Sequence, residues 1–346
     1  MVAGLFLAAP TPPPPPPVTR PEPGHLSHTW VGWDGSRWDL TGNRVPSGVL
    51  LRGGIRGLGV GPGQHLTSTS PALNGARWRG AREDPREPFW PLAVYHGDRG
   101  QAWLDYDAAF WATMDRRRPG TWEVTQPSGV TRRLRMRFAD DGDHPVDLPG
   151  DVWGRQAYGI RFLAEQPYWE SDPVVVAPLG NPLQRNFFGG GDPAAPGFGP
   201  PFFIGSGASL SRARIDNPGD HPAWPEWVVV GPVTSARVGL NGRVVEVPLQ
   251  VQAGRALVID TAPDAQWALE GDAVLNSDGS PQTDEQGRVV VRNLGTPGWT
   301  GDRTRELGSR VEWAPVPRGS SVPLEASVVG TGAVQPSLTP LHDRAW

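Results

Sequence analysis

The chain has 346 residues, a formal net charge of −4 and no cysteine, so as a whole it is no polyanion binder, and disulfides, thiolate nucleophiles and zinc–thiolate sites are excluded. All 32 basic residues are arginine, which also removes Schiff-base chemistry and any P-loop lysine. Gly (45) and Pro (40) are abundant, but 16 Trp, 10 Phe and many Val-rich runs mark a folded, turn-rich protein of about two domains at roughly 150 residues each.

Residues 1–26 read as an N-terminal arm. The six prolines at 12–17 favour extended polyproline II, either free or docked on a neighbour. The apolar start MVAGLFLAAP is brief and has no basic residue before Arg20, so it makes a poor signal peptide. No apolar run approaches the length of a membrane span, and no membrane partner is expected.

Residues 27–179 predict a mostly β domain with one helix. It opens on WVGWDGSRWDL, where Trp30, Trp33 and Trp38 surround the turn pair Asp34-Gly35. Two roles fit: packing that holds a hairpin, or stacking on a sugar. Packing is favoured, because aromatic residues mainly serve cores and interfaces. GLGVGPG (57–63) lacks the strand before and the helix after that a dinucleotide-binding loop requires, and reads as a mobile loop. The helix is expected from Asp105 to Arg116, with Asp105 and Asp107 in its first turn and Arg116, Arg117 and Arg118 at its end, stopped by Pro119-Gly120.

A hairpin follows, TWEVTQ (121–126) and TRRLRMRF (131–138) about Pro127-Ser128-Gly129. Leu134, Met136 and Phe138 alternate with Arg133, Arg135 and Arg137, so the two sets face opposite sides. The arginine row could meet nucleic-acid phosphate. In a chain of this net charge a solvated face or a subunit contact fits better, and the contact is preferred. AYGIRFLAEQPYW (157–169) reads as another strand.

Residues 180–212, rich in Gly, Pro and Phe, form a linker or long loop. From 213 to 346 the strands return at 227–233, 243–251, 255–260, 288–293 and 310–316, with two more in the C-terminal segment. Spacing near ten residues without a clear helix predicts an antiparallel sandwich.

Motifs for chemistry are weak. His25 and His28 form an HxxH with no third ligand, and the acidic loops 140–147 and 276–285 lack EF-hand spacing. No G-x-S-x-G element occurs, and no carboxylate pair stands out as catalytic. No catalytic residue, cofactor or metal is assigned.

Eight stretches in order resemble one family: WVGWDGSRWDL, GVLLRGGIRGLG, AFWATMDRRRPGTWEV, LRMRFADDGDH, YGIRFLAEQPYW, NPGDHPAWPEWVVVGPV, LVIDTAP and PLHDRAW. They are similar to the distal tail proteins (minor tail proteins, tail-hub family) of siphophages, in particular those of actinobacterial hosts. The resemblance spans about residues 30–346. It implies an N-terminal belt domain with one helix and a C-terminal galectin-like β-sandwich. It implies a hexameric ring of identical subunits that joins the tail tube to the tail-tip complex and leaves a channel for the genome.

The implied partners are further copies of the chain, the tail tube protein, a tail-tip or tail-associated protein, the tape measure protein and receptor-binding proteins. No sequence-specific nucleic-acid binding is implied. The implied location is the virion tail tip, after assembly in the host cytoplasm. A closed ring repeats one heterologous interface, which suits aromatic and arginine anchors. Trp30, Trp33, Trp38, Arg133, Arg135 and Arg137 are the candidate subunit contacts, and Trp78, Trp90, Trp103 and Trp111 are further anchors the domain offers. The alternative function is a carbohydrate-binding module that contacts cell-wall glycans through Trp224, Trp227 or Trp267.

Overall fold

The computed structural model describes residues 24–41, 46–72, 74–142, 149–180, 213–247, 249–294, 301–307 and 312–346. The proline run, the 180–212 stretch after Gly180, most of the acidic loop 140–147 and residues 310–311 lie outside them. The fold is mostly β, built from antiparallel sheets, as expected.

The first sheet runs, in spatial order, Arg37–Asp39, Ser27–Val31, Gly120–Thr125, Thr131–Asp140, Arg155–Leu163, Phe89–Tyr95 and Gly48–Leu51. Its two ends meet: Thr41 bridges Leu50, and Leu51 N donates to Leu40 O at 2.8 Å. The sheet therefore curls into a barrel-like form with few free edges. Inside lie Trp30, Trp90, Trp122, Trp169, Phe110 and Phe162, all essentially without solvent contact. The alternation read in TRRLRMRF holds: Leu134 and Met136 are buried between arginines on the opposite face.

Helix α1 covers Gln101–Trp111, four residues earlier at its start than expected. Asp105 and Asp107 fall in its middle, and Arg116, Arg117 and Arg118 lie beyond its end. The stop is local chemistry. The Thr113 hydroxyl donates to Phe110 O at 2.7 Å, and the Asp115 carboxylate accepts the backbone N–H groups of Arg117 (2.6 Å) and Arg118 (3.0 Å). These bonds favour a turn over a further helical turn. A second helix, α2 (Gly150–Trp153), was not expected. It packs on α1 through Gly150, where any Cβ would come within 2.2 Å of the Trp103 ring.

The second half is a two-sheet sandwich. A seven-stranded sheet is ordered Val174–Val175, Ala333–Leu338, Pro225–Val230, Arg255–Asp260, Trp267–Ala273 and Val291–Arg292, with Leu179–Gly180 also on Ala333–Leu338. A four-stranded sheet is ordered Arg214–Asn217, Ser320–Gly330, Val233–Leu240 and Arg243–Val247. Trp227, Val229, Leu257 and Ile259 from one sheet meet Ile215, Val238, Leu240 and Leu324 from the other.

The stretch 227–233, read as one strand, is two that meet at Gly231-Pro232, and the first is buried on both faces: Trp227 and Val229 lie in the sandwich core, and Val228 and Val230 turn outward under Val258 and Val289. The chain passes between sheets at Gly231-Pro232, where a Cβ on Gly231 would sit 2.0 Å from Gln252 O. Of the stretch 288–293, Val291–Arg292 forms a short strand on Trp267–Ala273, and Val289, which covers that outer face, makes a single bridge to Thr283. In 312–316 a single bridge, Ala223 to Val316, is formed.

The chain crosses between halves twice. Leu341–His342 returns to pair with Trp169–Glu170 of the first sheet, and Ala345 is buried in the first core.

Candidate functional site

Each tryptophan of the opening cluster touches α1 or the turn that ends it. The Trp30 indole donates to Thr113 Oγ1 (2.9 Å) and its ring meets Trp90 edge-on at 5.4 Å. The Trp38 ring meets Tyr106 and Phe110 of α1, each at 5.4 Å. The Trp33 indole donates to Ala112 O (2.9 Å), a carbonyl left over at the helix end. Residue 120 must be glycine for this packing, since a Cβ there would be 2.2 Å from the Trp30 ring.

Trp30 is thus withdrawn from any outer surface, and Trp38 is half-buried. Trp33 is 36% exposed, with the Arg118 guanidinium 3.2 Å over its ring. Hydrogen bonds from Arg117 and Arg118 hold the neighbouring Asp115 carboxyl down to about 2. Of the other anchors, Trp90 and Trp103 are buried, Trp111 packs beside the core, and Trp78 is 62% exposed.

The arginine row is largely neutralised within the chain. Arg133 meets Glu123 (3.3 Å) and Asp172 (2.7 Å), and Glu123 also takes Arg37 at 2.6 Å. Arg137 meets Glu165 at 3.0 Å and the Arg117 carbonyl. Arg135 alone of the three is exposed. This is the salt-bridged strand face, with little charge left over for a phosphate chain.

The glycine-rich stretch 57–63 is not the mobile loop expected. Its carbonyls, rather than its N–H groups, point at a charge. Buried Arg86 donates to Gly57 O (2.6 Å), Gly59 O, Pro167 O (2.7 Å) and Asp343 O (3.0 Å). Burial lowers the Arg86 pKa from its usual value. The loop thus cradles a guanidinium from its own chain, and the same guanidinium grips the returning C-terminal strap. Arg132 donates to the carbonyls of Arg344 and Trp346, and Ala345 N donates to Leu58 O at 2.9 Å. No sequence pattern announces this clasp, because its acceptors are backbone atoms.

Also unforeseen is the hairpin Gly63–Ser68 with Arg77–Glu83, which among the described residues pairs with no other strand and is exposed on both faces. Leu66 (48%) and Trp78 (62%) stand in solvent on it. A two-stranded ribbon alone is marginally stable, so this one is a surface in want of a partner.

Of the glycan candidates, Trp227 lies in the sandwich core and offers no face to a ligand. Trp224 and Trp267 are half-exposed and line two adjoining cavities, of about 570 and about 590 Å³, in a groove between the halves. The cavities share Gln166, Tyr168, Glu170, Asp260, Ala262 and Asp264. Burial raises the pKa of Glu170, of Glu226 (beside Asp260) and of Asp260. Among the described residues no group of three or more His, Asp or Glu is placed to hold a metal, and His28 is buried against the Trp122 ring at 5.7 Å. No helix among them is long and apolar enough to cross a membrane.

No protein-family model matches the chain, nor does any curated protein. Solved structures do. The SPP1 Dit (gp 19.1) protein, described as a paradigm of the hub adsorption apparatus in phages infecting Gram-positive hosts, superposes with a TM-score of 0.54 at 12% identity, over 92% of this chain and 99% of that one. The phage P2 baseplate in its activated conformation with Ca gives 0.52 at 11% identity, over 91% and 98%. The P2 baseplate in its activated conformation with Sr gives the same values. At such identities the likeness is one of fold, and it extends through both halves of the chain.

Proposed function

We propose that the chain is a structural virion protein, the distal tail protein of a siphophage of the actinobacteriophage type. In this reading six copies close into a ring at the end of the tail tube. The ring joins the tube to the tail-tip complex, leaves a channel for the genome and performs no reaction. It assembles in the host cytoplasm, against the tail tube protein, the tape measure protein, a tail-tip or tail-associated protein and receptor-binding proteins.

The observation that carries the reading is the fold likeness to SPP1 Dit over nearly the whole of both chains. The surface agrees with it. A closed ring needs two different patches on each subunit. The hairpin, with exposed Trp78 and Leu66, is one candidate; Trp33 with Arg118 is another. The pairing of Arg133 and Arg137 inside the chain leaves Arg135 as the exposed arginine of that strand row.

Negative-stain images of the purified full-length chain, and of intact particles with this chain labelled, test the reading. Six-fold rings at the tube end are expected. A single copy per particle, or a location away from the tail, overturns it.

A further inference from the structure

The groove between the halves has a floor that no structural role explains. Four residues from four adjacent antiparallel strands form one transverse row: Ser337 opposite Glu226, Glu226 opposite Asp260, and Asp260 opposite Trp267. All four line the groove. They share the outer face of the seven-stranded sheet with Val228 and Val258, which the 289–294 segment covers; Trp267 packs at the edge of that cover, and Glu226 and Asp260 lie outside it, partly exposed to the groove. Three strand spacings make the row about 14 Å long, the reach of a short oligosaccharide. The belt half supplies the facing wall with Tyr168, Glu170 and Arg135.

Two carboxylates directly opposite one another on paired strands repel, which destabilises a sheet. Among the described residues neither Glu226 nor Asp260 sits in an ion pair; Asp260 accepts only from the N–H of Ala262 at 2.9 Å. Such a pair, half-buried beside two half-exposed indoles, is costly for the fold alone and useful to a ligand that brings O–H donors. The charges on the walls narrow the ligand class. The carboxylates disfavour an anion, while Arg135 acting on Glu170 and Arg288 acting on Glu226 offset part of their charge and weaken the site for a cation. A neutral, hydroxyl-rich ligand meets both constraints: its hydroxyls bond the carboxylates and Ser337, and its C–H faces cover indole.

We propose that this groove is a binding site for a neutral oligosaccharide, with Trp224 and Trp267 as stacking platforms and Glu226 and Asp260 as hydroxyl acceptors. The site is assembled from both halves of the chain and does not depend on ring formation.

Saturation-transfer NMR and calorimetry on the full-length protein, with neutral tri- to pentasaccharides of glucose, galactose, mannose and N-acetylglucosamine, test the assignment. At least one series is expected to bind. Trp267→Ala and Trp224→Ala should each weaken it tenfold or more, and the near-isosteric Glu226→Gln and Asp260→Asn, which keep the fold, should each weaken it severalfold. Trp153→Ala, on exposed α2 outside the groove, should leave affinity unchanged. Absence of binding across the panel, or full affinity in the Trp224→Ala/Trp267→Ala double variant, overturns the proposal. So does preferential binding of an arginine-bearing peptide spanning residues 74–82 of this chain, which would make the groove a protein contact. The sugar-binding outcomes leave the ring reading untouched, whereas peptide binding would favour it.

Discussion

The two halves of the molecule solve the same packing problem with different side chains. The curled first sheet is filled by four buried tryptophans and two phenylalanines, with ring centroids 4.4–5.5 Å apart and mostly edge-on or tilted. Among the described residues the buried sandwich core is Val, Leu, Ile and Ala around one fully buried aromatic, Trp227, with Trp313 packed at its side. Two flat sheets about 10 Å apart are filled by short branched chains that interdigitate. A sheet rolled on itself leaves a wider interior, which aliphatic chains would fill only with voids. The abundance of tryptophan therefore reports the curvature of one domain first and its outward surface second.

The largest expected effect tests that contrast. Trp90 touches Trp30, Trp122 and Phe162 and has no exposure. Trp90→Ala should cost about 3–5 kcal/mol, because the rings around it cannot collapse into the cavity. Leu257→Ala in the sandwich should cost about 2–5 kcal/mol, towards the lower end where neighbouring branched chains relax. Urea unfolding followed by near-ultraviolet circular dichroism, dominated by the first core, should show the Trp90→Ala loss at lower denaturant and leave the sandwich transition in place. Equal shifts of both transitions would mean that the two cores unfold as one.

Next in size is the clasp between the halves. Arg86→Met removes charged hydrogen bonds to four carbonyls, of which the bond to Pro167 O is buried and the others partly buried, with an expected cost of about 3 kcal/mol. Hydrogen exchange should show residues 341–346 and the 57–61 loop opening together. Protection unchanged at the strap would show that the Leu341–His342 pairing suffices without Arg86.

The parts that were legible in the sequence are those set by side-chain periodicity. The faces of TRRLRMRF and the bounds of RALVID could be read, because alternation and runs are local. The helix existed where expected but began four residues early, and it ended at Trp111 and not Arg116 because Thr113 and Asp115 bond backbone groups there, which outweighed the charge pattern. The clasp on Arg86 was invisible, as its acceptors carry no side-chain signature. The Trp224/Trp267 pair was half legible: the residue types were visible, but which of the three tryptophans faced outward depended on a strand register that only the fold fixes. For Trp30, Trp33 and Trp38 the hairpin reading was sound, and the structure adds that all three are tied to α1.

A smaller effect comes from pH, with opposite signs in two places. Burial lowers the pKa of His28 in the first core and of His342 in the strap, so the folded state binds fewer protons there than the unfolded chain. Their contribution is complete above the ordinary value of 6.5 and is lost as pH falls below it, by at most about 1.4 kcal/mol per unit for each. Burial raises Glu170, Glu226 and Asp260 on the groove, so their ionisation opposes folding as pH rises above the ordinary carboxylate range. Thermal melts between pH 7.5 and 5 should show the histidine loss, flattened in a His28→Asn/His342→Asn double variant. A slope unchanged in that variant would assign the pH dependence elsewhere.

The smallest effect on the fold separates structure from assembly. Arg118 over the Trp33 ring is an exposed cation–π pair worth about 0.5–1 kcal/mol, and the neighbouring Arg118–Asp115 bridge at 2.6 Å is equally exposed. Trp33→Ala should therefore lower stability by about 1 kcal/mol in a urea titration and leave the circular dichroism spectrum intact. If this patch is a subunit contact, light scattering of the same variant should lose the ring while the monomer stays folded, as expected when an interface anchor is truncated. Trp90→Ala would lose ring and fold together. A Trp33→Ala protein that still closes into rings would confine the tryptophan's role to holding the end of α1, and would shift the search for the contact to Trp78 on the free hairpin.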